Sequence, residues 1–136
     1  MKRNILLLGC IFASFLIDIS CKETTTGPQT GNGPPPPAFY LKQNYPNPFT
    51  DTTTIEYGVP ITGGSNSLVT VIVYDQFRQK IRMLVSNYSH PSGSKFLTQW
   101  DGENSKGVSV PSGLYIIEMR GYTPQTSILW VTAIKK

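Results

Sequence analysis

The last hundred or so residues of this chain alternate between short runs of β-branched and aromatic residues and short groups of Gly, Pro, Asn and Asp. No window in them repeats apolar residues at helical spacing, whereas such runs are typical of strands and the groups between them of turns. The predicted strands are residues 40–44, 53–59, 68–75, 80–85, 95–100, 114–120 and 126–134. Seven short strands in a stretch of this length predict an all-β fold, an antiparallel immunoglobulin-like (Ig-like) β-sandwich over residues 38–136.

Alternation along the predicted strands separates an interior face from a solvent face. The predicted interior rows are Ile55, Tyr57 and Val59; Val69, Val71 and Val73; Tyr115, Ile117 and Met119; and Ile128, Trp130 and Ile134, with Trp100 as the largest core residue. Other apolar residues break the alternation: Leu114, Ile116, Ile72, Leu129 and Val131. Either their strands are central and covered, which we favour, or they leave apolar surface for a partner.

Residues 1–20 have the pattern of a secretory signal peptide. Lys2 and Arg3 are followed by an apolar stretch over residues 5–17, which is too short to span a membrane comfortably. Ile19-Ser20-Cys21 resembles the lipobox of bacterial lipoproteins, although Asp18 departs from that pattern, and we expect lipid attachment at Cys21. Ordinary signal cleavage is the alternative. Because the only other cysteine is Cys10, the folded part can form neither a disulfide nor a thiolate metal site.

Residues 21–37 are rich in Thr, Gly and Pro and are predicted to form a disordered tether. Its four consecutive prolines, Pro34 to Pro37, favour polyproline II and would act as a stiff spacer. A ligand for an aromatic groove is the alternative interpretation of that run.

The sequence predicts no catalytic residues, no metal and no cofactor, and we expect the protein not to be an enzyme. Asp101, Glu103 and Asn104 could be oxygen ligands for calcium, but they lack the distal carboxylate of a recognised loop, so an ordinary turn is favoured. The sole histidine, His90, lies in a polar segment and is expected to be a solvent-facing loop residue. No serine lies in a nucleophile elbow.

The formal net charge is +4, and +3 if Lys2, Arg3 and Asp18 leave with the signal peptide. Positively charged residues at alternate positions, Arg78, Lys80 and Arg82, would line one face of a predicted strand. They could meet anionic lipid, but we favour the protection of an edge strand against pairing. With an export signal present, we expect no nucleic-acid partner and no small-molecule substrate.

Several motifs occur in a specific order. They are Asn44-Tyr45-Pro46-Asn47-Pro48-Phe49, residues 53–57, residues 71–75, Trp100-Asp101-Gly102-Glu103-Asn104 and Gly113-Leu114-Tyr115. Together they resemble the C-terminal sorting domain of the type IX (Por) secretion system, and the Ig-like domain of the flagellar hook-capping protein is similar too. The resemblance implies an exported β-sandwich handled by secretion machinery. It also implies recognition through Gly113, Tyr115, Lys135 and Lys136.

The motifs also have a physical interpretation of their own. Pro46 and Pro48 restrict the backbone before the first long strand, and Phe49 is expected to cover the core. Residues 101–104 are expected to close a loop by side-chain-to-backbone hydrogen bonds. Gly113 is expected where a Cβ would clash, and Tyr115 is expected to begin an interior row with its hydroxyl at the end of the domain.

The sequence departs from the sorting-domain pattern in the turn at residues 76–79, which lacks the usual glycine and is expected to be wider or bulged. It also lacks an earlier lysine in the last strand, and only the tether precedes the domain. Two functions therefore remain open: a sorting module handled by secretion machinery, or a lipid-anchored structural module that docks to an envelope protein. Either predicts an exported protein at the outer membrane or cell surface, with periplasmic or secreted locations as alternatives.

Overall fold

The computed structural model describes residues 33–136, which form seven strands. The strands are β1 (Tyr40–Leu41), β2 (Thr53–Gly58), β3 (Ser67–Asp75), β4 (Lys80–His90), β5 (Lys95–Trp100), β6 (Gly113–Thr123) and β7 (Gln125–Lys135). The predicted signal peptide and the lipid-attachment residue Cys21 lie outside the described residues. None of the described residues forms a helix long and apolar enough to cross a membrane.

The strands form two antiparallel sheets, one with the order β1-β2-β5 and one with the order β4-β3-β6-β7. The predicted all-β antiparallel sandwich is therefore confirmed. β2 is central in the small sheet, and β3 and β6 are central in the large one. Because β4 and β7 end the large sheet, each has one side of its backbone without a neighbouring strand in that sheet.

The core lies between the two sheets. It is built from alternate residues of the central strands, as the sequence predicts for the rows in β2, β3 and β6. Trp100 is fully buried and is the largest residue of the core. The other members of this core cluster are Phe49, Ile55, Tyr57, Val59, Val69, Val71, Val73, Phe96, Val110, Tyr115, Ile117, Met119 and Ala133. Ile72 is also buried, opposite Glu118 in the large sheet.

The interior face predicted for β7 is wrong. Ile128, Trp130 and Ile134 point outward, with 57%, 58% and 44% of their surface exposed. The pairing with β6 decides this, because directly opposite residues share a face and the buried Tyr115 lies opposite Ala133. The interior residues of β7 are therefore Leu129, Val131 and Ala133, two of which had broken the predicted alternation.

The outward row of β7 adjoins Leu114 of β6, which is 44% exposed. All seven described strands belong to the two sheets, so none of them forms a layer over this part of the outer face. The favoured interpretation, that the strands with extra apolar residues are covered on both faces, is therefore wrong for Leu114. The alternative, an apolar surface open to a partner, describes this part of the sheet.

β4 is longer than predicted and its last residue, His90, is buried rather than solvent-facing. The polar segment before it pairs with β3, where His90 lies opposite Ser67. His90 packs at 3.9 Å between ring centroids against Phe96, and its Nε2 lies 3.1 Å from the Tyr57 hydroxyl. Cross-strand pairing thus outweighed the loop-like composition of this segment.

The turn between β3 and β4 is bulged, as predicted, with a register shift between Val73 and Tyr74. Arg78 has a φ of 63°, the left-handed conformation for which glycine is usual. The Asp75 carboxylate accepts backbone hydrogen bonds from Phe77 and Gln79, at 2.9 and 2.8 Å, and so fixes the turn.

The positive residues of this segment do not share a face, contrary to the prediction. The Arg78 guanidinium lies 3.0 Å from the Glu118 carboxylate on the outer face of the large sheet. The Arg82 guanidinium instead lies 2.8 Å from Asp101 at the end of β5. The register shift and the turn place the two side chains on opposite sides of the strand, so no basic stripe forms.

The end of the predicted tether lies against the sandwich. Pro36 is buried, and its carbonyl accepts a 3.2 Å hydrogen bond from the Ile61 backbone N–H. The ordered domain therefore includes prolines that were assigned to the disordered tether.

Candidate recognition site

The segment Pro46-Asn47-Pro48-Phe49 lies along the outer edge of the C-terminal half of β7. The Asn47 side chain accepts from the Ile134 N–H and donates to the Thr132 carbonyl, both at 2.9 Å. The Phe49 backbone donates to the Ile134 carbonyl and accepts from the Lys136 N–H, at 2.9 and 2.8 Å. This segment therefore satisfies the edge groups of β7 as a neighbouring strand would.

A second network holds the same segment on β2. The buried Asn44 side chain donates to the Thr53 hydroxyl at 2.7 Å, and that hydroxyl donates to the Pro46 carbonyl at 2.8 Å. Buried polar groups that are fully bonded in this way fix one arrangement of the chain. The Pro-Asn-Pro unit is thus anchored to both sheets.

Three aromatic rings close this end of the sandwich. The centroid of Trp100 lies 5.3 Å from that of Phe49 and 5.0 Å from that of Tyr115. The indole N–H donates to the Glu103 carbonyl at 2.9 Å, and the Tyr115 hydroxyl donates to the Pro111 carbonyl at 2.6 Å. The predicted roles of Phe49 over the core and of the Tyr115 hydroxyl at the end of the domain are confirmed.

Lys135 lies across the same end. Its ammonium donates to the Ser109 hydroxyl at 3.1 Å and to the Val110 carbonyl at 2.9 Å. Its aliphatic stem passes over Gly102, which is buried at a φ of 71°. A Cβ at Gly102 would clash with that stem, so glycine is required there by both backbone angle and space.

The loop after Trp100 is closed by its own side chains, as predicted. Asp101 Oδ1 accepts from the Glu103 N–H at 3.1 Å, and Asn104 Oδ1 accepts from the backbone N–H groups of Lys106 and Val108 at 2.9 and 3.1 Å. The oxygens that could have bound calcium are thus engaged with the backbone or with Arg82. Within residues 33–136 no group of three or more His, Cys, Asp or Glu side chains is arranged to hold a metal ion.

Gly113 and Lys136 lie on the surface of this end. Gly113 begins β6 opposite Lys135, and a Cβ built on it meets no atom within 4 Å. The predicted clash at Gly113 is therefore wrong. Lys136 is exposed and is bonded to Phe49 through its backbone N–H. The structure thus brings Gly113, Tyr115, Lys135 and the Pro-Asn-Pro and Trp-Asp-Gly motifs together at one end.

The outer face of β6 and β7 was predicted only as an alternative, through the apolar residues that break the alternation, such as Leu114. It exposes Leu114, Ile128, Trp130 and Ile134. The Glu118 side chain lies beside them, and 9% of its surface is exposed. It accepts from Arg120 at 2.7 Å and from Arg78 at 3.0 Å. The sequence signal for this face was the unbroken apolar run of residues 128–131.

The ionisable groups that depart from their usual pKa are held by structure rather than arranged for proton transfer. The bonded Glu118 carboxylate raises the pKa of Arg120, and burial raises the pKa of Tyr115. Burial lowers the pKa of His90 to about 4, and its Nδ1 and the Ser67 hydroxyl have no hydrogen-bond partner among the described residues. Both side chains are closed to solvent, so this Ser–His pair could not reach a substrate.

A shallow depression of about 550 Å³ lies beside the aromatic end, between the β3–β4 turn and the loop before β6. Its lining includes Phe77, Ile81, Val110 and Tyr115. The only carboxylate that lines it, Asp75, is bonded to the backbone of its own turn. Converging catalytic groups are therefore absent from this depression.

Among solved structures, the chain is similar to part of the crystal structure of dimeric latent PorU from Porphyromonas gingivalis. The TM-score is 0.51 and the sequence identity 22%, and the similarity covers 77% of this chain and 10% of the PorU chain. At this identity the likeness shows a shared fold. No protein family and no curated protein matches the sequence.

Proposed function

We propose that this protein is a non-enzymatic exported module of the type IX sorting kind, which directs or retains the chain at the cell surface. The observation that carries the proposal is the convergence of the sorting-type motifs at one end of the sandwich. Residues from four separate parts of the sequence meet there around Trp100 and Lys135.

The fold likeness to PorU supports the same proposal at a coarser level. PorU is a component of the type IX secretion system, the system whose sorting domains the motifs resemble. The chain spans about a tenth of PorU, so the likeness concerns one domain and not the activity of that protein.

We propose a division of roles among the four residues that the resemblance implies in recognition. Tyr115 and Lys135 are bonded internally and shape the surface, whereas Gly113 and Lys136 are exposed on it. In the proposal, the secretion machinery contacts Lys136 and the adjoining strand ends. The buried residues hold these groups in place.

The test is a reporter fusion. Residues 33–136 are fused to a secretable reporter and expressed in a host with a working type IX system, and the surface fraction is measured by protease accessibility. We expect surface export that Lys136→Glu reduces severalfold, while Lys106→Glu, a charge reversal at an exposed lysine in the 104–107 turn, leaves it unchanged. Retention of the unaltered fusion in the periplasm would contradict the proposal.

A second function is favoured by one specific observation. The exposed apolar row of Leu114, Ile128, Trp130 and Ile134 is a surface of the kind that docks to another protein. In this alternative the chain is anchored by a lipid on Cys21 and assembles with an envelope protein. Incorporation of labelled palmitate that disappears in Cys21→Ala, together with periplasmic retention of the reporter, would support the anchored module.

A further inference from the structure

β7 ends the large sheet, so one side of its backbone bonds to β6 and the other faces outward. The outward groups belong to even-numbered residues, because Ile134 exchanges hydrogen bonds with Asn47 and Phe49 and not with β6. In an antiparallel strand the direction alternates along the chain. Thr126, Ile128 and Trp130 therefore also point their backbone N–H and C=O groups away from β6.

The two halves of this edge differ. In the C-terminal half, Thr132 and Ile134 are bonded to the 43–49 segment. In the N-terminal half, no hydrogen bond among residues 33–136 uses the outward backbone groups of Thr126, Ile128 or Trp130. The fold thus caps one half of β7, whereas in the other, open half β1 lies close to the strand without bonding to its outward backbone groups.

The open half also lacks the features that protect edge strands from pairing. Residues 125–134 contain no charge, proline or glycine, and the register with β6 runs without a shift. The opposite edge, β4, carries Lys80 and Arg82, three register shifts and a left-handed Asn87. Charges and bulges of that kind are how proteins keep sheet edges apart.

We propose that the open half of β7 pairs antiparallel with the same segment of a second copy of this chain. The two-fold axis passes at Ile128, so Ile128 lies opposite the second copy's Ile128 and Trp130 lies opposite the second copy's Thr126. Each outward N–H then meets a C=O, which gives about six backbone hydrogen bonds across the axis. The large sheets of the two copies become one continuous sheet.

Side-chain size and charge favour a second copy over a charged partner. The small Thr126 leaves room for the opposite indole, which also reaches the second copy's Ile128 diagonally. The nearest charges on this face belong to β6 and the β3–β4 turn: the Glu118 carboxylate is shared by Arg120, which lies opposite Ile128, at 2.7 Å and by Arg78 at 3.0 Å. Residues 125–134 themselves carry no charge that would select a charged partner or repel the same strand of a second copy. This interface goes beyond the proposed sorting function and does not depend on it.

The test is sedimentation velocity of the full chain in detergent-matched buffer, over about 1 to 200 μM. We expect a concentration-dependent dimer. Ile128→Lys places two like charges directly opposite each other at the axis and is expected to weaken the dimer at least about tenfold. Ile134→Lys is the matched control, because it adds the same charge to the same face in the capped half of β7. It should change the dissociation constant of the dimer less than about twofold.

Complementary variants separate pairing from misfolding. Ile128→Lys and Ile128→Glu should each dimerise more weakly alone than when combined, because opposite charges meet at the axis only in the mixed dimer. A chain that stays monomeric throughout the concentration range would overturn the proposal. Coverage of the edge by residues before 33 would give that same result and would overturn it too. It would also be overturned if Ile134→Lys weakened the dimer as much as Ile128→Lys does.

Discussion

Acidification should destabilise the sandwich through His90. The ring is 1% exposed, and its burial lowers the pKa from 6.5 to about 4. In the unfolded chain the imidazole takes up a proton as the pH falls through 6.5, whereas in the folded protein it stays neutral. The unfolded state therefore binds more protons between these two values, and the free energy of unfolding decreases as the pH falls.

The size of this effect follows from the difference between the two pKa values. Each unit corresponds to 1.36 kcal/mol, so the full loss is about 3 kcal/mol by pH 4. Carboxylates such as Glu56, whose pKa is lowered by Lys42, begin to contribute at the acidic end of that range. The interval from pH 6.5 to about 5 isolates the histidine, and there the expected loss is about 2 kcal/mol.

The assay is urea unfolding followed by tryptophan fluorescence at several pH values between about 7.5 and 5. His90→Phe keeps an aromatic ring against Phe96 but cannot titrate. We expect its free energy of unfolding to be nearly flat across this interval while that of the unaltered protein falls. Parallel curves for the two proteins would refute the assigned role of His90, whatever their difference in absolute stability.

Three substitutions test the aromatic end of the sandwich by thermal or urea unfolding. Asn47→Ala removes two hydrogen bonds to the edge of β7 and should cost about 1–3 kcal/mol; no change would mean that the side chain does not hold the edge. Gly102→Ala should cost more than Gly107→Ala, because both have left-handed φ values but only Gly102 lies under the Lys135 stem; equal costs would exclude the steric contribution. Trp100→Phe loses buried volume and the indole hydrogen bond and should cost about 2–4 kcal/mol, so a cost below about 1 kcal/mol would contradict its place in the core.

The sequence was sufficient for the strands and for the central part of the core. Strands whose two faces differ in polarity, such as β2 and β3, reveal their interior side by alternation alone. Trp100 and Phe49 were placed correctly because turn residues beside them fix where the chain reverses: Phe49 follows Pro48, and Trp100 precedes Asp101-Gly102. The convergence of the motif residues depends on those same turns.

β7 shows why the rest could not be predicted. Residues 128–131 are apolar on both faces, so the alternation carries no information, and only the pairing of Tyr115 with Ala133 decides which face is inside. His90 was misplaced for a related reason. Its neighbours have the composition of a loop, and only their pairing with β3 makes them a strand. Register is a relation between distant segments, which local sequence does not encode.

The Asn47 side chain makes the hydrogen bonds to the edge of β7 that a further strand of the large sheet would make. A loop side chain together with the Phe49 backbone thus closes the C-terminal half of this edge to further strands. A homologous protein with a shorter side chain at this position would keep the bonds of the Phe49 backbone and of Gln43 to this edge, but would expose more of its last strand to pairing. The width of the sheet at this end is in this sense a property of one short loop segment.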